Sequence, residues 1–155
     1  MTERPDVPPQ IAPPAGEEVI AVLHATGWQI YICQPDAEGK PSWVLKAPEA
    51  ELRDSSGAVI GSHFAGPTWK LNDGSQVTAK LVARVDAPDS GAIPWLLLTV
   101  TSNSGQGRLG GVTSIQRINT KGGLPPAGQD CSAATQGAEV KVRYIAGYYF
   151  FGSAK

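Results

Sequence analysis

Residues 68–85 read TWKLNDGSQVTAKLVARV, and the fold class turns on them. Asp73-Gly74 lies between two segments that alternate apolar and polar residues. An Asp-Gly pair in that setting is among the strongest short-range hairpin signals, because glycine accepts the positive φ that a tight turn needs. In the second arm Val77, Ala79, Leu81, Ala83 and Val85 share one face, while Gln76, Thr78, Lys80 and Arg84 share the other. That period of two is the pattern of a half-buried strand.

The same pattern recurs on both sides of the hairpin. Upstream, Val19, Ala21 and Leu23 alternate with Ile20, Val22 and His24; Thr26-Gly27 then reads as a turn into a second strand, Trp28 to Cys33. Ser42 to Ala47 is a short strand that Pro48 should stop, and residues 49–54 form either one more strand or a single turn. Downstream, residues 95–102, 112–119 and 139–151 complete the set. No segment carries a helical period over twelve residues. Eight or nine strands separated by Gly, Pro and Asp-Gly turns, without intervening helices, predict an all-β fold, either an antiparallel β-sandwich or a small β-barrel. Residues 1–16, rich in proline, are expected to be an extended arm, and residues 17–155 a single domain.

Composition bounds the partners. The 18 glycines and 13 prolines exceed ordinary usage and fit a chain with many turns. A net charge of -1 with scattered basic residues leaves no footprint for nucleic acid. The longest strongly apolar run, Ile93 to Val100, is far short of the ~20 residues of a membrane helix. It reads as a buried strand. Cys33 and Cys131 are the only cysteines. They are either a disulfide joining an early strand to the approach of the last one, or two buried thiols; the loop-like setting of Cys131, AGQDCSAATQG, favours the disulfide.

Few motifs carry chemistry. Gly105-Gln-Gly-Arg-Leu-Gly110 matches a dinucleotide-binding pattern, but a β-branched run follows it where a helix is required, so it reads as a glycine-rich loop. The candidate ligand-binding residues are His63, Trp69, Asp73, Asp54 and Trp28. His63 is expected in a loop beside Gly61, Gly66 and Pro67. With His24 and either Asp54 or Asp73 it would make a two-His, one-carboxylate site for a divalent metal, although no cofactor is predicted outright. Trp28, Trp43, Trp69 and Trp95 offer flat faces of the kind that stack on sugar rings. In the terminal run, Tyr148 and Phe150 face away from Tyr149 and Phe151, which leaves one face for a ligand or another subunit.

Several stretches together resemble one family. GWQIYIC, APEAELRDSSGAVIGSHFAGPTWKLNDGSQV, AIPWLLLTV, GGVTSIQRINTKGGLPPAGQDC and VRYIAGYYFF occur in the order found in the bacterial and fungal proteins grouped as domain of unknown function 3455. The resemblance runs from about Val19 to Phe151. It implies a secreted or periplasmic protein whose signal segment has been removed, and the paired cysteines fit that expectation. No catalytic residues come with it. The leading expectation is a binding or structural module for an envelope or extracellular ligand, a glycan among the options. The alternative is a small metal-dependent or acid–base enzyme centred on His63. Monomer and homo-oligomer both stay open.

Overall fold

The structure is a computed structural model that describes residues 4–153, apart from the side chain of Gln129. Its strands are β1 (Glu17–Pro35), β2 (Pro41–Arg53), β3 (Val59–Phe64), β4 (Thr68–Leu71), β5 (Gln76–Val85), β6 (Trp95–Ser104), β7 (Ser114–Gly122) and β8 (Glu139–Ser153). Each pairs antiparallel with its neighbour in sequence, and β8 returns to β1, so the sheet closes into a barrel. The closing pair runs from Glu17 opposite Ser153 to Ile32 opposite Glu139. This contact decides between sandwich and barrel. Three-residue 3-10 turns occur at Pro9–Ile11, Gly128–Asp130 and Ala133–Thr135. Among the described residues no helix is long and apolar enough to cross a membrane.

Two strand boundaries differ from the sequence reading. Thr26-Gly27 is not a turn: β1 runs straight through it, with Gly27 opposite both Ala50 and Tyr144. A Cβ on Gly27 would lie 2.3 Å from the Glu49 carbonyl oxygen and 2.5 Å from Ala50 Cα. The glycine is there because β1 and β2 approach too closely for a side chain, the other use of glycine inside a strand. Pro48 does not stop β2 either. It pairs with Gln29 on one side, while the β3 ladder on the other begins only at Ala50. A strand with one neighbour tolerates a residue without an N–H.

The barrel interior is one apolar cluster in which Leu23, Leu52, Trp69, Val77, Ile115, Tyr148 and Phe150 are almost fully buried. Eight strands enclose a space that side chains can just fill. A second cluster lies outside the wall, where Ile11, Leu97 and Ile118 are buried together with Ala83, Val85, Trp95 and Tyr149. The expected single face of β5 is therefore split. Register shifts beside Ala79 and between Leu81 and Ala83 turn Val77 and Ala79 inward, leave Leu81 half exposed and send Ala83 and Val85 to the outer cluster. The outer face of β8 is covered towards its end, where Tyr149 packs in the outer cluster and Phe151 is fully buried with the Arg4 guanidinium 5.9 Å from its ring centroid, while Ile145 on the same face is exposed. Gln116 Nε2 donates to the Ile11 carbonyl oxygen at 2.8 Å, which fixes the segment before β1 to β7.

Cys33 and Cys131 form a disulfide with a Cα–Cα distance of 5.5 Å. The bond ties the end of β1 to the connection between β7 and β8.

Candidate functional site

The wall of the barrel has one short section. β3 has 6 residues and β4 has 4, so their hairpin covers only part of the height of its neighbours. β2 pairs with β3 over residues 50–53 alone, and β5 pairs with β4 over residues 76–78 alone. Beyond the hairpin tip at residues 65–67, the rest of β2 and the rest of β5 face each other without a ladder between them. The result is an opening in the side of the barrel, bounded by sheet rather than by long loops.

Behind this opening lies a cavity of about 340 Å³. Its rim is mostly apolar: Leu45, Ala47 and Pro48 come from β2, Leu81 from β5, and Ala65 and Pro67 from the hairpin tip, with Lys46 of β2 as the charged exception. Leu45 and Leu81 are 49% and 50% exposed, high for leucine beside an open cavity. The floor belongs to the interior and consists of Gln29, His63, Trp69, Leu96, Leu98, Arg117 and Tyr148.

His63 and Trp69 lie opposite each other in the β3–β4 ladder rather than in a loop. Only residues 65–67 form the connection, because the hairpin is tight. Both side chains point inward and stack, with ring centroids 4.4 Å apart and an interplanar angle of 20°. Tyr148 meets the edges of both, at 5.1 Å from His63 and 5.5 Å from Trp69. His63 Nδ1 lies 2.8 Å from the Thr68 carbonyl oxygen. A carbonyl only accepts, so Nδ1 carries the proton and Nε2 the lone pair. Burial pushes the imidazole down to about 3; the bond to Thr68 opposes the shift, and the nearby Arg117 charge adds to it. His63 is therefore neutral at ordinary pH.

Arg117 is the positive charge of the floor. Its Nε and Nη2 donate to the Pro94 carbonyl oxygen at 3.1 and 2.9 Å. The ion pairs among the described residues are Lys46–Glu139, Arg53–Glu51 and Lys141–Glu49, so Arg117 has no carboxylate partner. Two residues of the floor also carry a polar atom with no hydrogen-bond partner, Gln29 Oε1 and Trp69 Nε1, each withdrawn from the cavity surface.

The other candidate residues lie elsewhere. His24 is exposed on the outer side of β1, opposite Arg53 and Gly147, whereas His63 points inward. Asp54 closes the β2–β3 turn, accepting from Ser56 N, Ser56 Oγ and Ala58 N; the Ser56 hydroxyl is the main cause of its lowered pKa. Asp73 does the same in the β4–β5 turn. It accepts from the Ser75 amide and hydroxyl and from the Arg108 amide, and its pKa is lowered chiefly by the Ser75 hydroxyl. The glycine-rich 105–110 segment folds over this aspartate. A Cβ on Gly107 would lie 2.3 Å from Asp73 Cγ, so the glycines admit a carboxylate from the chain itself. Among the described residues no three His, Cys, Asp or Glu side chains are grouped to hold a metal. Trp28 is half-buried outside the barrel, its ring 5.1 Å from the Arg143 guanidinium carbon.

The sequence reading overlooked Gln29, Arg117 and the leucines of the cavity, and named Tyr148 only as part of one face of the terminal run. Parity carries the missing signal: Gln29 is in step with Leu23, Ala25 and Tyr31, and Arg117 with Ile115, so period-two counting points both polar side chains into the barrel.

Comparison with curated proteins and comparison with solved structures found no match. Residues 14–152 match the family model described as "Protein of unknown function (DUF3455)". The match spans all of β1 to β7 and β8 up to Gly152, including both cysteines and every residue of the cavity, and the chain therefore belongs to the DUF3455 family.

Proposed function

We propose that this protein is a secreted or periplasmic binding module that takes a small, largely apolar molecule into the cavity in its side wall. The observation that carries the reading is the open, leucine-rimmed cavity itself, with the Arg117 guanidinium on its floor and no carboxylate among its lining residues. The volume is at the low end of the range of roughly 300–1,000 Å³ typical of small-molecule sites. Eight-stranded barrels are of the size that holds one small ligand. The disulfide supports an oxidising compartment.

Other ligand classes and chemistries find less support. A sugar ring would need an open aromatic face, and Trp69 is 1% exposed with its face against His63. Acid–base chemistry would need a carboxylate on His63, whose partner is the Thr68 carbonyl.

The test is a fluorescence titration with N-phenyl-1-naphthylamine, a neutral apolar probe, on the native protein and on Leu81→Arg. Leu81 is half exposed, so the substitution puts a charge on the rim without emptying the core. Saturable binding that weakens at least about tenfold in the variant, about 1.4 kcal/mol, is expected. Absence of binding, or equal binding by a folded Leu81→Arg variant, would refute the reading.

A further inference from the structure

We infer that the ligand of this cavity is a small amphipathic carboxylate whose anionic head docks at Arg117 while its apolar body lies beneath Leu45, Leu81 and Leu96. The inference rests on the proposed binding role and adds the charge and polarity of the ligand. It comes from the chemistry of the cavity floor, taken group by group.

No Asp or Glu lines the cavity among the described residues, and its two cationic side chains differ in circumstance. Lys46, on the exposed rim, spends its ammonium on Glu139 at 2.7 Å. Arg117 is half-buried, bonds through Nε and Nη2 to a neutral backbone carbonyl, and has the neutral Tyr148 hydroxyl as a further polar neighbour. A guanidinium has five N–H donors in a fork that matches a carboxylate, so donors remain. Beside it are four aromatic hydroxyl or imidazole groups on which its charge acts, those of Tyr31, His63, Tyr144 and Tyr148, all neutral at ordinary pH. Among the described residues no carboxylate pairs with this charge.

The head docks on the remaining N–H donors of Arg117, since the partnerless atoms of Gln29 and Trp69 are withdrawn from the cavity surface. A cation would meet Arg117 with like charge. A wholly apolar molecule would seal an uncompensated guanidinium away from water, which burial penalises.

Calorimetric titration at pH 7 with matched acids and alcohols tests this: hexanoate and 1-hexanol, decanoate and 1-decanol, 3-phenylpropionate and 3-phenyl-1-propanol. The proteins are wild type, Arg117→Gln and Arg117→Lys. The expected result is at least one acid bound about tenfold or more tightly than its alcohol by wild type. The preference should vanish in Arg117→Gln and survive in weakened form in Arg117→Lys, which keeps the charge and loses the fork. Should Arg117→Gln fail to fold, the wild-type contrast decides, together with its weakening in high salt. Alcohols bound as tightly as acids would overturn the carboxylate and leave the apolar-binding role standing. An acid preference unchanged in folded Arg117→Gln would overturn the role of Arg117. If no member of any pair binds, the inference and the proposed function fall together.

Discussion

His63 makes stability depend on pH in a way that can be worked from the structure. Its ordinary pKa of 6.5 applies to the unfolded chain, and burial brings the folded value to about 3. Between those values the unfolded state binds a proton that the native state refuses. Stability therefore rises with pH across the window, by about 1.4 kcal/mol per unit, and the contribution is complete above 6.5. From pH 7 to pH 4 the loss amounts to about 3 kcal/mol, or roughly 6–12 °C in Tm for a chain of this size. Asp54 and Asp73 have lowered folded pKa values, so what they contribute is present above their ordinary 3.8 and lost only below it. The window above pH 4 thus belongs mainly to the histidine. The assay is thermal unfolding across that window for wild type and His63→Asn, whose side-chain N–H stands in for Nδ1–H toward Thr68. The variant should lose most of the slope whatever its absolute Tm. Equal slopes in the two proteins would refute the buried, neutral state of His63 and its place in the cavity floor.

Three further substitutions probe the frame around the cavity. Cys33→Ala/Cys131→Ala opens a covalent loop with a sequence separation of 98 residues; the chain-entropy relation gives a loss of about 4 to 5 kcal/mol, to be read as a lower urea midpoint. An unchanged midpoint would count against the bond. Gly27→Ala puts a Cβ 2.3 Å from the Glu49 carbonyl oxygen, so β1 and β2 must separate; a loss of about 3 kcal/mol in denaturant unfolding is expected, and a neutral outcome would show that the two strands are further apart. Ile11→Ala removes a fully buried side chain that joins the segment before β1 to the outer cluster; it should cost about 3 kcal/mol. A change below about 0.5 kcal/mol, the range of surface positions, would detach that segment from the fold.

The elements visible in the sequence are those fixed by local chemistry. The β4–β5 hairpin is legible because Asp73-Gly74 encodes the turn and Val77 opens a clean alternation. Further along the same strand the alternation misleads. A register shift between Leu81 and Ala83 moves side chains to the other face, and no residue there announces it. Gly27 and Pro48 are punctuation by composition and interior strand residues by structure. What decides each is a neighbouring strand: a close one at Gly27, and an absent second one at Pro48. Closure of the barrel depends on β1 meeting β8, with partners from Glu17 and Ser153 to Ile32 and Glu139 lying far apart in sequence, and no local pattern encodes it. His63 and Trp69 belong to the cavity as a pair. Asp54 and Asp73 were attractive as acids near a histidine, yet each is consumed by the turn that contains it.

Partnerless polar atoms alone would not single out the cavity, since Glu17 Oε1, Trp95 Nε1 and Gln116 Oε1 share that condition. The location of each atom separates them. Trp95 packs in the outer cluster, and Gln116 Nε2 bonds to Ile11, so both belong to the contact between the barrel wall and the segment before β1. Glu17 opens β1, at the end of a strand. Gln29 and Trp69 sit within the barrel, on the floor of a space that the wall leaves open, and share that floor with a guanidinium that has no carboxylate partner. Extending β3 and β4 to the length of β2 would close the wall and leave Arg117 sealed in with no carboxylate to balance it, a costly arrangement. The short hairpin and the inward-facing arginine thus make physical sense together, as the entrance and the anchor of one site.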